Sequence, residues 1–313
     1  GLLDDGAPQE LPWPATEPLR EPLSVAQHLK QDLQGLPRMT FLLAGHCFIV
    51  TFSDERLGDD WQDLFGHLET RAEPAGKVSE LAVLKEDEDG RGPFFCYENE
   101  ICTEGGLARN QVVPYLVYKL FAHRMAGLQD RLLFHAAVVA KDGQAVLLPA
   151  QSGSGKSTLS AALAAAGWTY LSDELALVDP ATRCVAPFAL PIGLKDKSMA
   201  ALAAFIHDVA DLPRHIRADG IGVRYHRPAA IQPEGCLPIR ALVYPQYSQD
   251  AATRFEELPP LDSLATLATT GSSARPLVSS DVLAMLEMAS LPSYRLEFSD
   301  LSQALRLING LDS

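Results

Sequence analysis

Residues 144–158 read Gln-Ala-Val-Leu-Leu-Pro-Ala-Gln-Ser-Gly-Ser-Gly-Lys-Ser-Thr, and this segment restricts the fold more than any other part of the chain. An apolar run, Ala145–Leu148, feeds a glycine-containing loop. From Lys156 the spacing Leu159, Ala162, Leu163, Ala166 predicts a helix that stops at Gly167. Strand, loop and helix in that order form the setting in which such a loop binds phosphate. Its amides and those of the helix start point at phosphate oxygens, with the positive end of the helix dipole behind them. On this reading Ala150, Gln151, Ser152, Gly153, Ser154, Gly155, Lys156, Ser157 and Thr158 form a nucleotide cradle. Lys156 reaches the β and γ phosphates of ATP, and the Ser157 hydroxyl ligates Mg²⁺. The bland alternative is a Gly/Ser-rich turn that binds nothing.

Position 150 departs from the usual loop pattern, in which a glycine stands where this chain has Ala150. If the backbone there needs positive φ, alanine costs about 1–2 kcal/mol. In a β-like conformation the exchange is nearly free.

Downstream, Trp168–Ser172 is a short β-like run that ends in two adjacent acids, Asp173 and Glu174. Carboxylates at a strand end can hold Mg²⁺, directly or through water, and can accept a hydroxyl proton. Alone the pair reads as a solvated turn; beside Lys156 it reads as catalytic. Upstream, His135 lies in Leu132–Ala140, a predicted strand joined by Asp142-Gly143 to the strand before the loop. The Asp-Gly turn makes the two an antiparallel hairpin. A lone histidine on an apolar strand is usually a satisfied core residue, but this hairpin sets His135 beside the mouth of the loop.

The order His135, loop 150–157, Asp173-Glu174 resembles the catalytic domain of HPr kinase/phosphorylase, bacterial P-loop kinases related to phosphoenolpyruvate carboxykinase. The spacings match: 21 residues from His135 to Lys156, then 17 and 18 to Asp173 and Glu174. A looser likeness runs through Pro191–Lys195, Pro238–Pro245 and Ser293–Asp300, closer to HPr-kinase-related proteins encoded near peptide-modification genes. It covers residues 112–311. The resemblance implies that Lys156 clamps phosphates, Ser157 binds Mg²⁺ together with the acids, and Glu174 aligns with the family's base. Asp173 then supports metal or substrate, and His135 orients phosphate or substrate. It also implies multimers. The chain departs from the family at Ala150, at Glu174 where an aspartate is expected, and at Thr158 where an acid is expected.

Charge narrows the partners. With 26 basic and 40 acidic residues the formal charge is −14, which argues against nucleic acid and anionic membranes. Five cysteines without a Cys-x-x-Cys pair argue against a disulfide framework or thiolate zinc site and favour a reducing, cytoplasmic setting. The first twenty residues have no basic start and no apolar core, so no targeting signal is expected.

The organisation expected is a flexible arm at 1–22, an N-terminal α/β domain at 23–108 and a catalytic domain at 109–313, an α/β P-loop kinase fold. In the first domain, a helix through Val25, Leu29 and Leu33 precedes strands in Met39–Val50 and a hairpin of Leu81–Leu84 with Phe94–Tyr97 around Asp87–Gly90. Asn110 caps a helix to Gly127 with a stripe at Val113, Leu116, Val117, Leu120, Phe121 and Met125, and Pro114 falls in its first turn. Lys195 and the cluster Arg214, His215, Arg217, Arg224, His226, Arg227 stand out as basic, with Gly220 and Gly222 suggesting a loop that closes over substrate. A solvated basic surface is the alternative. The function expected is transfer of the γ-phosphate of ATP to a hydroxyl, a serine of a protein or modified peptide. A small-molecule hydroxyl kinase and a nucleotide-binding regulatory module without turnover are the competing readings.

Overall fold

A computed structural model describes residues 33 and 35–312, apart from 73–75, 86–91, 100, 273 and 274. The expected arm at 1–22, the expected helix through Val25 and Leu29, and the turn at Asp87–Gly90 lie outside the described residues. The protein is mixed α/β with several sheets. It divides into two compact units: Gly1–Arg124 with Pro213–Arg224, and Met125–Leu212 with Tyr225–Ser313.

In the first unit five strands lie side by side in chain order. They are β1 (Arg38–Leu43), β2 (His46–Phe52), β3 (Val78–Lys85), β4 (Phe94–Glu98) and β5 (Ile101–Leu107). The pair β2–β3 is parallel, and helix α1 (Glu55–Phe65) makes that crossover. Asp54 starts α1 by accepting from the Leu57 amide at 2.8 Å, and the helix buries Leu57, Trp61 and Phe65. The hairpin expected at 81–97 is present, pairing Leu81 with Glu98 and Leu84 with Phe95.

Helix α2 runs Arg109–Gly127 and belongs to this unit as far as Arg124. The Tyr115 hydroxyl donates to Thr103 Oγ1 at 2.7 Å, and Lys119 and His123 both meet Glu98, which ties the helix to the sheet beyond the boundary read at 108. Three details differ from expectation. The helix starts one residue early, so Asn110 lies inside it rather than capping it. Pro114 therefore falls in the second turn, where its missing N–H forgoes one helical hydrogen bond. The buried set is Val112, Val113, Pro114, Tyr115, Leu116, Leu120 and Arg124, while Val117, Phe121 and Met125 are half-buried, because the helix is covered on more than one side.

The basic segment is not a loop. Arg214–Ile216 pairs antiparallel with Gly222–His226, and the turn between them closes when Arg217 binds Asp219 at 2.7 Å. Gly220 takes φ +79 in that turn, and Asp219 also accepts from the Ile221 amide.

The second unit carries the candidate site. Its elements begin β6 (Leu132–Phe134), β7 (Ala136–Lys141), β8 (Gln144–Pro149), α3 (Lys156–Ala165), β9 (Thr169–Ser172), β10 (Ala176–Val178) and β11 (Cys184–Ala186). They continue with β12 (Ile192–Lys195) and α4 (Met199–Leu202) and, after the pair described above, which is numbered β13 and β14 in chain order, with β15 (Leu237–Tyr247) and β16 (Arg254–Glu257). The chain closes with α5 (Pro260–Ala268), β17 (Gly271–Ser272), α6 (Ser279–Ala289), β18 (Ser293–Phe298) and α7 (Leu301–Asn309). Strands β9, β7, β8, β15 and β18 are neighbours in one sheet, with β17, β6, β10 and β11 joining at the start of β15. Parallel pairing of β8 with β15 and of β15 with β18 brings three carboxyl-terminal strand ends to one edge. The core beneath is aliphatic, with Val138, Leu147, Leu171, Val185 and Leu242 fully buried.

The expected hairpin is formed: β7 and β8 pair from Ala136↔Pro149 to Lys141↔Gln144. Asp142 and Gly143 take φ of 52° and 76°, the left-handed pair of a two-residue turn. The single strand expected over 132–140 is, however, broken at His135. Segment β6 pairs with β10 and β17, whereas β7 pairs with β8 and β9, so the chain changes partners at that residue.

Candidate active site

The loop leaves β8 at Pro149. Ala150 is buried and is not among the residues with positive φ, so its methyl group carries no backbone strain. Its amide donates to the His135 carbonyl at 3.2 Å, which ties the loop base to the strand break. Gln151 Nε2 donates to the Thr269 carbonyl at 2.8 Å, while Gln151, Ser152 and Gly153 are exposed. Gly153 and Gly155 take φ of 89° and 86°. Gly155 is the N-cap of α3 and supplies no side-chain cap, so the positive helix start has no side-chain acceptor of its own.

Lys156, at the first helical position, is 6% exposed, and its ammonium donates to the Asp173 carbonyl. The same ammonium stands 3.9 Å from Asp173 Oδ1, which also accepts from Ser160 Oγ at 3.0 Å. Burial raises the Asp173 pKa; Lys156 opposes that rise, Glu174 adds to it, and the Ser157 and Ser160 hydroxyls favour the ionised form. Thr158 is engaged elsewhere, donating to Ser198 Oγ at 2.9 Å.

The two adjacent acids thus have different surroundings. Asp173, the first residue after β9, points inward to Lys156, whereas the Glu174 side chain is 53% exposed and lies 3.6 Å from His135 Nε2. At the strand break the His135 side chain is half-buried, with Nε2 toward Glu174. His135, the loop 150–158, Asp173 and Glu174 lie in the second unit, where Lys156 meets Asp173 and His135 meets Glu174, whereas Arg214, His215, Arg217 and Arg224 belong to the first unit. Around them Ser154 Oγ, Asp173 Oδ2 and His135 Nδ1 are buried without a hydrogen-bond partner among the described residues. Buried polar atoms without a partner are few in folded proteins and call for a physical reason, and three of them fall at this loop.

These residues fit Mg²⁺ bound with a nucleotide. Among the described residues no group of three or more His, Cys, Asp or Glu side chains stands ready for a metal. Mg²⁺, however, needs only one or two protein oxygens when phosphates and water complete its shell, and Ser157 with Asp173 offers that donor set. Glu174 is turned to His135 instead.

Three contributors were not expected. Ser160, one turn along α3, reads as an ordinary helical serine, and the Ser-x-x-Ser spacing from Ser157 was the only signal. Tyr247 and Phe298, ninety residues and more beyond the loop, close its far side. The Tyr247 amide donates to the Ser154 carbonyl at 2.9 Å. A Cβ on Gly155 would lie 2.9 Å from Tyr247 Cβ and 3.1 Å from Phe298 Cζ, so only glycine fits there.

No helix among the described residues is long and apolar enough to cross a membrane. No curated protein matches the chain. A family model described as "SynChlorMet cassette protein ScmC" matches residues 109–186, about a quarter of the chain, from the start of α2 through β11. The matched stretch holds His135, the whole loop, Lys156 and both acids.

Proposed function

We propose that the second unit is an ATP- and Mg²⁺-dependent kinase of the HPr-kinase-like P-loop type, transferring the γ-phosphate to a hydroxyl, a serine of a protein or modified peptide. The carrying observation is a buried Lys156–Asp173 contact at the start of α3 beside the next acid, Glu174, whose exposed carboxylate meets the half-buried His135. The three parallel strand ends at the loop edge support the kinase fold, since open α/β sheets bind ligands there.

Phosphoryl transfer asks a protein chiefly for alignment and for neutralisation of charge on the moving group. Lys156 and the start of α3 bring positive charge to the β and γ phosphates. Glu174, whose side chain is exposed at the strand end, takes the proton from the acceptor hydroxyl as the hydroxyl oxygen bonds to the γ-phosphorus and the bond to ADP breaks. His135 holds the Glu174 carboxylate in place. Ser157 and Asp173 would hold Mg²⁺, which when bound neutralises phosphate charge. The matching segment of the ScmC family model, named for a cassette, supports an acceptor encoded beside the kinase. The HPr-kinase resemblance extends the proposal to a homo-oligomer.

The test is transfer of label from γ-labelled ATP with Mg²⁺ to serine-containing proteins or peptides of the neighbouring genes. Label on serine that disappears in Lys156→Ala supports the reading. Label on a small molecule redirects it to a small-molecule hydroxyl kinase, tight Mg·ATP binding without transfer favours a regulatory module, and no Mg·ATP binding overturns it.

A further inference from the structure

A nucleotide is more than its phosphates, and the edge beside the loop carries an aromatic pair that the chemistry above leaves unused. Tyr247 and Phe298 are the last paired residues of the parallel strands β15 and β18, held side by side in register. Both strand ends are tied down: the Tyr247 amide donates to the Ser154 carbonyl at 2.9 Å, and the Ser248 amide to the Phe298 carbonyl at 3.0 Å. Phe298 is 2% exposed and Tyr247 is 48% exposed. Their rings meet edge to face, with centroids 5.8 Å apart and planes at 72°. One ring therefore braces the other, and the braced ring remains open to solvent.

A single exposed aromatic on a plain surface needs no explanation. This one springs from a residue whose amide is bonded to the loop, and both its Cβ and the Phe298 ring behind it lie so close to Gly155 that a methyl group there would collide with them. We infer that the Tyr247 ring is the stacking platform for the purine base of the nucleotide, with Phe298 as its brace. This inference rests on the kinase reading, because it assigns the base once the triphosphate lies in the loop. A rigid ring costs little conformational entropy to immobilise, and stacking on it is tolerant of base identity because every base has a π face. The platform therefore favours purine nucleotides over inorganic polyphosphate without choosing strongly between adenine and guanine.

Calorimetry with Mg·ATP, Mg·GTP and Mg·tripolyphosphate tests both levels separately, using wild type, Tyr247→Ala and Tyr247→Phe, with thermal melts to verify folding. Wild type is expected to bind Mg·ATP about tenfold or more tighter than Mg·tripolyphosphate, and Mg·GTP comparably to Mg·ATP. Tyr247→Ala loses about tenfold in affinity for both nucleotides while its tripolyphosphate affinity moves less than about twofold; Tyr247→Phe keeps the wild-type ratio. A ratio unchanged in Tyr247→Ala, or an equal loss for all three ligands, overturns the platform and leaves the kinase reading standing. Failure of wild type to bind any of the three overturns the kinase reading and the platform with it.

Discussion

The ammonium of Lys156 donates to the main-chain carbonyl of Asp173 and stands 3.9 Å from that residue's own carboxylate, both side chains being buried. One turn of helix and one strand end are thereby locked together through a contact that is expensive to keep ionised. Burial raises the Asp173 pKa despite the pull of Lys156, so the native state holds that proton more tightly than the unfolded chain does. Stability therefore falls as pH rises from the ordinary carboxylate value through the raised one, and the cost is complete above it. Asp173→Asn is expected to unfold at higher urea than wild type at pH 7, with the gain shrinking as pH drops toward the acid range. Its phosphoryl transfer falls at least about 100-fold, the trade expected where a site stores strain for function. Urea midpoints across pH 4–8, beside a transfer assay, decide both halves; a lower midpoint for Asp173→Asn at pH 7 contradicts the account.

The loop glycines separate two physical demands. Gly153→Ala meets only backbone strain, since φ is +89 and nothing lies within 4 Å of the added Cβ. That variant is expected to cost about 1–2 kcal/mol. Gly155→Ala carries the same backbone strain plus a clash with Tyr247 Cβ at 2.9 Å, so its loss is larger and takes Mg·ATP affinity with it. Ala150→Gly, by contrast, relieves no strain because Ala150 has none. It is expected to lower stability by no more than about 1 kcal/mol and to leave Mg·ATP affinity within about twofold. Denaturation midpoints and calorimetry on the three variants check the order; improved binding by Ala150→Gly would show that the loop has another shape.

How much of this was legible in the sequence follows from where the determinants sit. Gly153, Gly155 and Lys156 announce the loop because phosphate binding is written within a few consecutive residues. Asp142-Gly143 announces its hairpin for the same reason, the two residues supplying the positive φ values that the turn requires. The break at His135 was not readable, since Leu132–Ala140 is continuously apolar and only the choice of strand partners divides it. Nor was the Tyr247–Phe298 corner, whose two members meet the loop through a register set by parallel pairing across long crossovers. The basic run at 214–227 misled in the opposite sense: charge drew attention to it, while the Asp219-Gly220 turn that makes it a hairpin is a quieter signal.

The exposed contact of His135 with Glu174 separates binding from chemistry. Glu174→Gln keeps the shape of the side chain but cannot take a proton, so transfer is expected to fall by roughly 100- to 10,000-fold with Mg·ATP affinity nearly unchanged. His135→Asn, which removes the partner of the base while sparing the base itself, is expected to lose less. Single-turnover transfer measured beside calorimetry makes the distinction. Equal losses in binding and transfer for Glu174→Gln would move that residue from proton acceptor to metal or phosphate support.

In the first unit the pH dependence has the opposite sign. Glu98 accepts from His123 Nε2 at 2.9 Å and pairs with Lys119; on the other side of the ring, His123 Nδ1 meets Ser79 Oγ, which also contacts His46 Nε2 at 3.0 Å. The hydrogen bond with His123, followed by Lys119 and opposed by burial, holds the Glu98 carboxyl down at about 2 from its ordinary 4.5. Burial, followed by Arg124, His123 and Lys77, lowers the pKa of the neighbouring His46. A depressed carboxylate pKa contributes stability that is complete above the unfolded value and is lost as pH falls through the folded one. Between pH 4.5 and 2 the wild type should therefore give up stability that Glu98→Gln never had. The variant is expected to be the less stable of the two at pH 6, with the curves converging as pH approaches the folded value. Urea unfolding at a series of acidic pH values reads this directly, and a gap between the proteins that stays constant into strong acid would assign the contribution of Glu98 to packing rather than charge.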